Sequence, residues 1–183
     1  LEYKAKEVVD AFDRIGKLTY PAVDKIIPSE YTRHYRNKLE YTFSNKRWLF
    51  PHEMEDPPTQ VNGLGFHVPG KFDKVLQVDK CYFQEDYSNS IRNGVYAFAL
   101  EHKIPFYDIR QQVGFLRNLI IRNTTLNQWM VILVVKSDEE EWLKLLMDYL
   151  QTEFDEITSL NYVVNPKAND TIYDLDVELW NGT

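Results

Sequence analysis

Leu39, Tyr41 and Phe43 alternate with Lys38, Glu40 and Thr42. A period of two puts the apolar set on one face of a strand and the polar set on the other, so the chain must build a sheet with one covered face. The strand is expected within Tyr35–Lys46. Leu116–Arg122 and Gln128–Val135 read as a hairpin with Asn127 in its turn, and Leu64–Val68 and Lys74–Val78 flank a turn at Pro69 and Gly70. Leu160–Val164 and Thr171–Trp180 add two strand-like pieces, while residues 51–60 form a polar, Pro-rich loop. Helical spacing marks Leu1–Ile15 (Leu1, Ala5, Val8, Phe12, Ile15), with Gly16 placed for a left-handed cap. A second helix is expected after an N-cap at Ser88, carrying Ile91, Val95 and Phe98 on one face. A third follows a capping box of Ser137 and Glu140 and buries Trp142, Leu145, Leu146 and Tyr149. Strands in runs, without regular βαβ alternation, predict an α+β fold: a mainly antiparallel sheet flanked by about three helices.

The formal net charge of −7 argues against a polyanion partner only until it is located. Residues 138–156 hold eight acids against Lys144 and account for all of it. Acids in a first helical turn suit the helix dipole, so this run needs no function. Residues 33–47 instead hold Arg33, Arg36, Lys38, Lys46 and Arg47 against Glu40 alone. Local potential, and not the total, steers a polyanion. Aromatic residues reach 14%, which fits a β-rich core first and a base-stacking surface second. The longest apolar runs fall well short of the ~20 residues of a membrane span. No signal peptide opens the chain, and its charged start without Met suggests a cut or processed piece. A lone cysteine, Cys81, has no internal disulfide partner, so a reducing cytoplasm is expected.

Generic catalytic signatures do not occur. The seven glycines are scattered and form no phosphate or dinucleotide loop. GxSxG, HExxH and zinc-spaced Cys/His pairs are lacking, and His34, His52, His67 and His102 are dispersed. No catalytic residue is assigned.

Five stretches, in order, resemble the RNA uracil-C5 methyltransferases, most closely the branch acting on large-subunit (23S) ribosomal RNA. They are LEYKAKEVVDAFDRIG at the start, YRNKLEY (35–41) followed by TFSNKRW, LGFH (64–67) through KVLQVDKC (74–81), GFLRNLIIR (114–122), and NDTIYDLDVELWNGT at the end. The resemblance covers nearly the whole chain. It implies that residues 1–183 are the central, substrate-side and iron–sulfur-associated domain of a larger enzyme. An N-terminal barrel, an upstream C-x5-C-x2-C cluster and a C-terminal Rossmann-like catalytic domain would lie outside this chain. The implied activity is methyl transfer from S-adenosylmethionine, bound by the catalytic domain, to C5 of a uridine in ribosomal RNA. A transfer-RNA-directed relative shares the YR-type strand, but Cys81 favours the ribosomal branch. A stand-alone RNA-binding adaptor is the non-enzymatic alternative.

The resemblance makes Cys81 the fourth ligand of a 4Fe-4S cluster in the full protein, with a free thiol expected in this chain. The competing role is a buried structural cysteine. Arg36, Lys38, Lys46 and Arg47 are candidate phosphate contacts against the alternative of a solvated strand face. Trp48 and Phe66 are candidate base-stacking residues, with core packing as the competing role. His67, near Lys71 and Lys74, is placed at the rim of the same groove. Arg117 and Arg122 are also candidates, but their strand positions allow at most one of them to reach a shared surface. The expected partner is RNA, with neither DNA nor membrane, and the expected state is a monomer.

Overall fold

The computed structural model describes residues 1–183. The chain forms two compact units, Leu1–Thr32 and Arg33–Thr183. The first contains helix α1 (Glu2–Asp10), which runs into a wider π-helical stretch, Ala11–Gly16. The expected N-terminal helix is therefore present. Its left-handed end falls on Lys17 (φ 48°), one residue beyond Gly16.

The second unit holds one seven-stranded sheet. Its strands are β1 (Lys38–Ser44), β2 (Gly63–Val68), β3 (Lys71–Gln77), β4 (Leu116–Asn123), β5 (Trp129–Val135), β6 (Ile157–Val164) and β7 (Glu178–Gly182). They lie in the order β3-β2-β1-β4-β5-β6-β7. Every pairing is antiparallel except β5 with β6. A parallel pair requires a crossover, and helix α4 (Glu140–Glu153) supplies it. The α+β fold with a mostly antiparallel sheet is the one expected from the sequence.

Local chemistry fixes the strand ends. Asn127 adopts φ 58° in the β4–β5 turn, and the Thr124 hydroxyl accepts the backbone N–H of Leu126 and of Gln128. In the β2–β3 turn Gly70 takes φ 73°, a conformation open to glycine without steric cost. The predicted loop at 51–60 contains a single helical turn, α2 (Pro51–Met54), held by Glu53 accepting the Phe50 N–H.

One sheet face carries Leu39, Tyr41, Phe43, Leu119, Ile121, Val131, Leu133 and Leu160 into the main core. Against them pack Ile91, Val95 and Ala99 of helix α3 (Asp86–Glu101), and Leu143, Leu146, Met147 and Leu150 of α4. Burying each aliphatic chain of this size contributes roughly 1.5–3 kcal/mol, which outweighs the weak caps. Two helix starts differ from expectation for that reason. α3 begins at Asp86, and Ser88 lies buried inside it, 3.4 Å from the Tyr41 hydroxyl. α4 begins at Glu140, and the Ser137 hydroxyl bonds Glu139, so the Ser137–Glu140 box does not form. On α4 Leu145 is exposed and Leu143, not expected inside, is buried.

The opposite sheet face has a smaller apolar patch of Ile120, Ile132, Val134 and Val163, met by Ile172 and Leu175. No helix is long and apolar enough to cross a membrane.

Candidate nucleic-acid interface

β1 determines where the basic residues go. Its core positions commit Lys38, Glu40 and Thr42 to the second face, where antiparallel pairing sets Lys38 against Arg122, Glu40 against Ile120 and Thr42 against Asn118. Two cations thus stand directly across a strand pair, an arrangement that destabilises a sheet. Lys38 is only partly compensated, by Glu40 at 3.6 Å. Arg122 is exposed and has no carboxylate within 4.0 Å.

Just before β1, the N–H groups of His34 and Arg36 donate to the carbonyls of Tyr82 and Phe83, both at 2.8 Å. This short ladder lays the Arg36 guanidinium over the Phe83 ring at 5.1 Å and Arg33 over Tyr82 at 4.6 Å. Tyr35 meets Phe83 with centroids 5.6 Å apart. Tyr35, Tyr82 and Phe83 remain exposed. A cleft of about 810 Å³ opens beside Tyr35, walled also by Arg36, Asn37, Asn123 and Thr124 but not by Tyr82 or Phe83. A second, of about 480 Å³, shares Asn37, Asn123 and Thr124 and adds Lys38 and Arg122. Acids are present too: Glu85 and Asp86 line the first cleft, engaged by His34 and Lys80 respectively. This end of the sheet offers cations and exposed rings, the combination that suits phosphates and unpaired bases.

Of the residues expected to contact RNA, Arg36, Lys38 and Arg122 gather here. Lys46, Arg47 and Trp48 do not: at ~3.3 Å per residue β1 carries the chain roughly 20 Å from Lys38 to Ser44, and these three follow beyond that far end. There Lys46 donates to Asp108 at 2.7 Å, and this bond, with further donors, holds the Asp108 carboxyl far below the usual carboxylate range. Arg47 grips Glu53 through both terminal nitrogens, at 2.5 and 3.1 Å. That grip, helped by the Phe50 N–H, keeps the Glu53 carboxyl at about 2. Trp48 is half-buried, its N–H bound to the Val75 carbonyl. The charges at this end satisfy one another.

Phe66 packs on Tyr41 at 5.1 Å against the main core, so its ring has the structural role. His67 is exposed on β2, opposite Val75 of β3. Arg117 is corrected outright. It sits at the β4 bulge with no exposed side-chain surface. Its guanidinium donates to the carbonyls of Asn165, Lys167 and Asn169 and to the Asp170 carboxylate. A side chain sealed in this way, with both terminal nitrogens engaged, cannot meet RNA.

Cys81 is 7% exposed, and the Asn89 side chain clamps its backbone, accepting its N–H at 2.8 Å and donating to its carbonyl at 3.0 Å. Arg92 donates to the same Asn89 oxygen and is wholly buried with no carboxylate partner. No three His, Cys, Asp or Glu side chains converge as a metal site. The donor set for a four-thiolate cluster is therefore not contained in these residues, although Cys81 is rigidly held.

Sequence reasoning missed Tyr35, Tyr82, Phe83 and Asn123. The only local signal was a pair of adjacent aromatics following Cys81. Their pairing with residues 33–36 spans more than forty positions, beyond any periodicity.

No family model matches the chain. Curated relatives do match it. An uncharacterized RNA methyltransferase of Bacteroides thetaiotaomicron is 48% identical across all of this chain and 41% of its own length. One from Porphyromonas gingivalis is 41% identical over the same shares of each chain. One from Chlorobaculum tepidum is 32% identical over 91% of this chain and 36% of its own length. Among solved structures, the Pyrococcus abyssi tRNA (uracil-54, C5)-methyltransferase, in complex with S-adenosyl-L-homocysteine, superposes with a TM-score of 0.65. It is 23% identical, covering 100% of this chain and 38% of its own, which establishes a shared fold. From end to end the chain is similar to these RNA methyltransferases, and it spans about two-fifths of the length of the first two.

Proposed function

We propose that this chain is the RNA-contacting central part of an enzyme that methylates C5 of a uridine in large-subunit ribosomal RNA, with S-adenosylmethionine as donor. The observation that carries the reading is the Lys38–Arg122 cross-strand pair. A free sheet gains nothing from two cations in register, whereas a phosphate backbone neutralises both. Arg36 extends the same edge. The cofactor and the methyl-transfer chemistry belong to a domain outside these residues, and no side chain of this chain takes a step in it. Cys81 is the ligand that the chain contributes to a 4Fe-4S cluster whose remaining thiolates come from elsewhere in the protein. The protein works as a cytoplasmic monomer, without DNA or membrane.

The test is binding of the chain to ribosomal-RNA stem-loops and to a transfer-RNA T-arm across a salt series. Three phosphate contacts predict a log–log slope of about −2 to −3. Lys38→Glu/Arg122→Glu should abolish binding, and Lys46→Gln/Arg47→Gln should leave the slope unchanged. Equal loss in both variants would remove the interface from this end of the sheet. Preference for the T-arm would favour a transfer-RNA substrate.

A further inference from the structure

We infer that the cleft between the 33–36 ladder and the end of β4 holds an unpaired nucleobase, stacked on the Tyr35 ring and read through a carbonyl by the side-chain amide of Asn123. The inference rests on the RNA reading above and names what that surface selects.

The orientation of Asn123 follows from its neighbours. Gln84 is 1% exposed, and its Nε2 lies 3.2 Å from the Ile121 carbonyl and 2.8 Å from Asn123 Oδ1. A backbone carbonyl only accepts, so the nitrogen of Gln84 must face it. The same NH2 group then also meets Asn123, whose oxygen must turn towards Gln84. The NH2 group of Asn123 has no partner within the chain and is left for the cleft that Asn123 lines with Tyr35 and Arg36.

An asparagine that reads adenine does so bidentately, offering an acceptor to N6 and a donor to N7. Asn123 has its acceptor turned inward, so it presents donors alone. Donors alone match the carbonyl edge of uracil, guanine or cytosine better than adenine. The exposed Tyr35 ring, which lines the cleft and is backed by Phe83 at 5.6 Å, supplies the stacking surface, and Arg36, also in the lining, adds phosphate attraction. A duplex cannot use this site, because its bases are already stacked and paired.

The experiment is fluorescence anisotropy of the 183-residue chain with labelled oligouridine, oligoadenosine and a duplex. The partners are the unmodified chain and the variants Asn123→Asp, Asn123→Ala and Tyr35→Ala. Asn123→Asp keeps an oxygen for Gln84 and removes the outward donor. Expected are preference of the unmodified chain for oligouridine over both oligoadenosine and duplex, and loss of the uridine-over-adenosine ratio in both Asn123 variants. Tyr35→Ala should weaken both single strands about tenfold while preserving their ratio, since stacking tolerates any base. An unchanged ratio in both Asn123 variants overturns the inference. Unchanged affinity in Tyr35→Ala also overturns it, and would assign this face to a protein contact. In either case stem-loop binding that still requires Lys38 and Arg122 leaves the RNA reading standing. Failure of the unmodified chain to bind any RNA overturns both.

Discussion

Arg117 was a candidate RNA contact through its motif, and the fold gives it a different task. Unbroken alternation would set it with Leu119 and Ile121 on the core face, and the bulge between Leu116 and Asn118 interrupts that alternation. Segment 165–170 then wraps its guanidinium, three backbone carbonyls and the Asp170 carboxylate accepting from it. Its Cζ also lies over the Tyr107 ring at 4.5 Å. These partners are far from residue 117 in sequence, so no local pattern could have revealed them. Replacing Arg117 with Ala strips four acceptors of their donor and leaves the Asp170 carboxylate unpaired. Removing one member of a fully buried pair typically costs about 3–5 kcal/mol, and the one-third exposure of Asp170 places this pair below that range. Arg117→Ala should therefore lower the urea midpoint markedly at unchanged denaturant slope. A loss under about 1 kcal/mol would mean that the loop does not depend on this clamp.

At the scale of elements, periodicity located what burial controls and missed what tertiary packing overrides. The β1 alternation was fully legible, as was the β4–β5 hairpin, because each strand writes its core face into every second residue. The starts of α3 and α4 were not, since Ser88 and Ser137 are good capping residues whose local preference is worth only about 1 kcal/mol. The helix faces seated against the sheet outweigh that. The pairing of β1 with β4 was likewise invisible, because register is a relation between segments some eighty residues apart. Yet register is what sets Lys38 against Arg122. If that pair is kept for a polyanion, Arg122→Glu should trade function for stability. It replaces a repulsive cross-strand pair with an attractive one, a gain of roughly 0.2–1 kcal/mol in the RNA-free chain. Thermal denaturation in low salt should show a raised midpoint, shrinking as salt screens the pair. The same variant should lose RNA affinity. A lowered midpoint would mean that Arg122 already serves the free sheet and would weaken the case for the interface.

For the whole molecule, the arrangement around Cys81 makes most sense as part of something larger. Arg92 is buried with no carboxylate, held instead by Asn89, Asn93, the Asp79 carbonyl and the Tyr41 hydroxyl. A buried, uncompensated cation is costly unless a negative charge comes close. A thiolate-bound iron–sulfur cluster carries negative charge, and Asn89 links Arg92 to the backbone of Cys81. On the proposal that Cys81 is a cluster ligand, Arg92 would stand as a nearby counter-charge to it. Sequence reading reached Cys81 through its motif but not Arg92, whose charge gave no hint that it would be buried. The natural protein, purified anaerobically with iron supplied, should be brown with a broad thiolate-to-iron absorption. Cys81→Ser should bleach it, while Arg92→Met should keep the colour and shift the reduction potential downward, because a neighbouring positive charge favours the reduced cluster. Colourless protein under those conditions would reduce Cys81 to a packing residue. A coloured Arg92→Met protein with an unaltered potential would leave the buried guanidinium as scaffolding for the 79–93 segment alone.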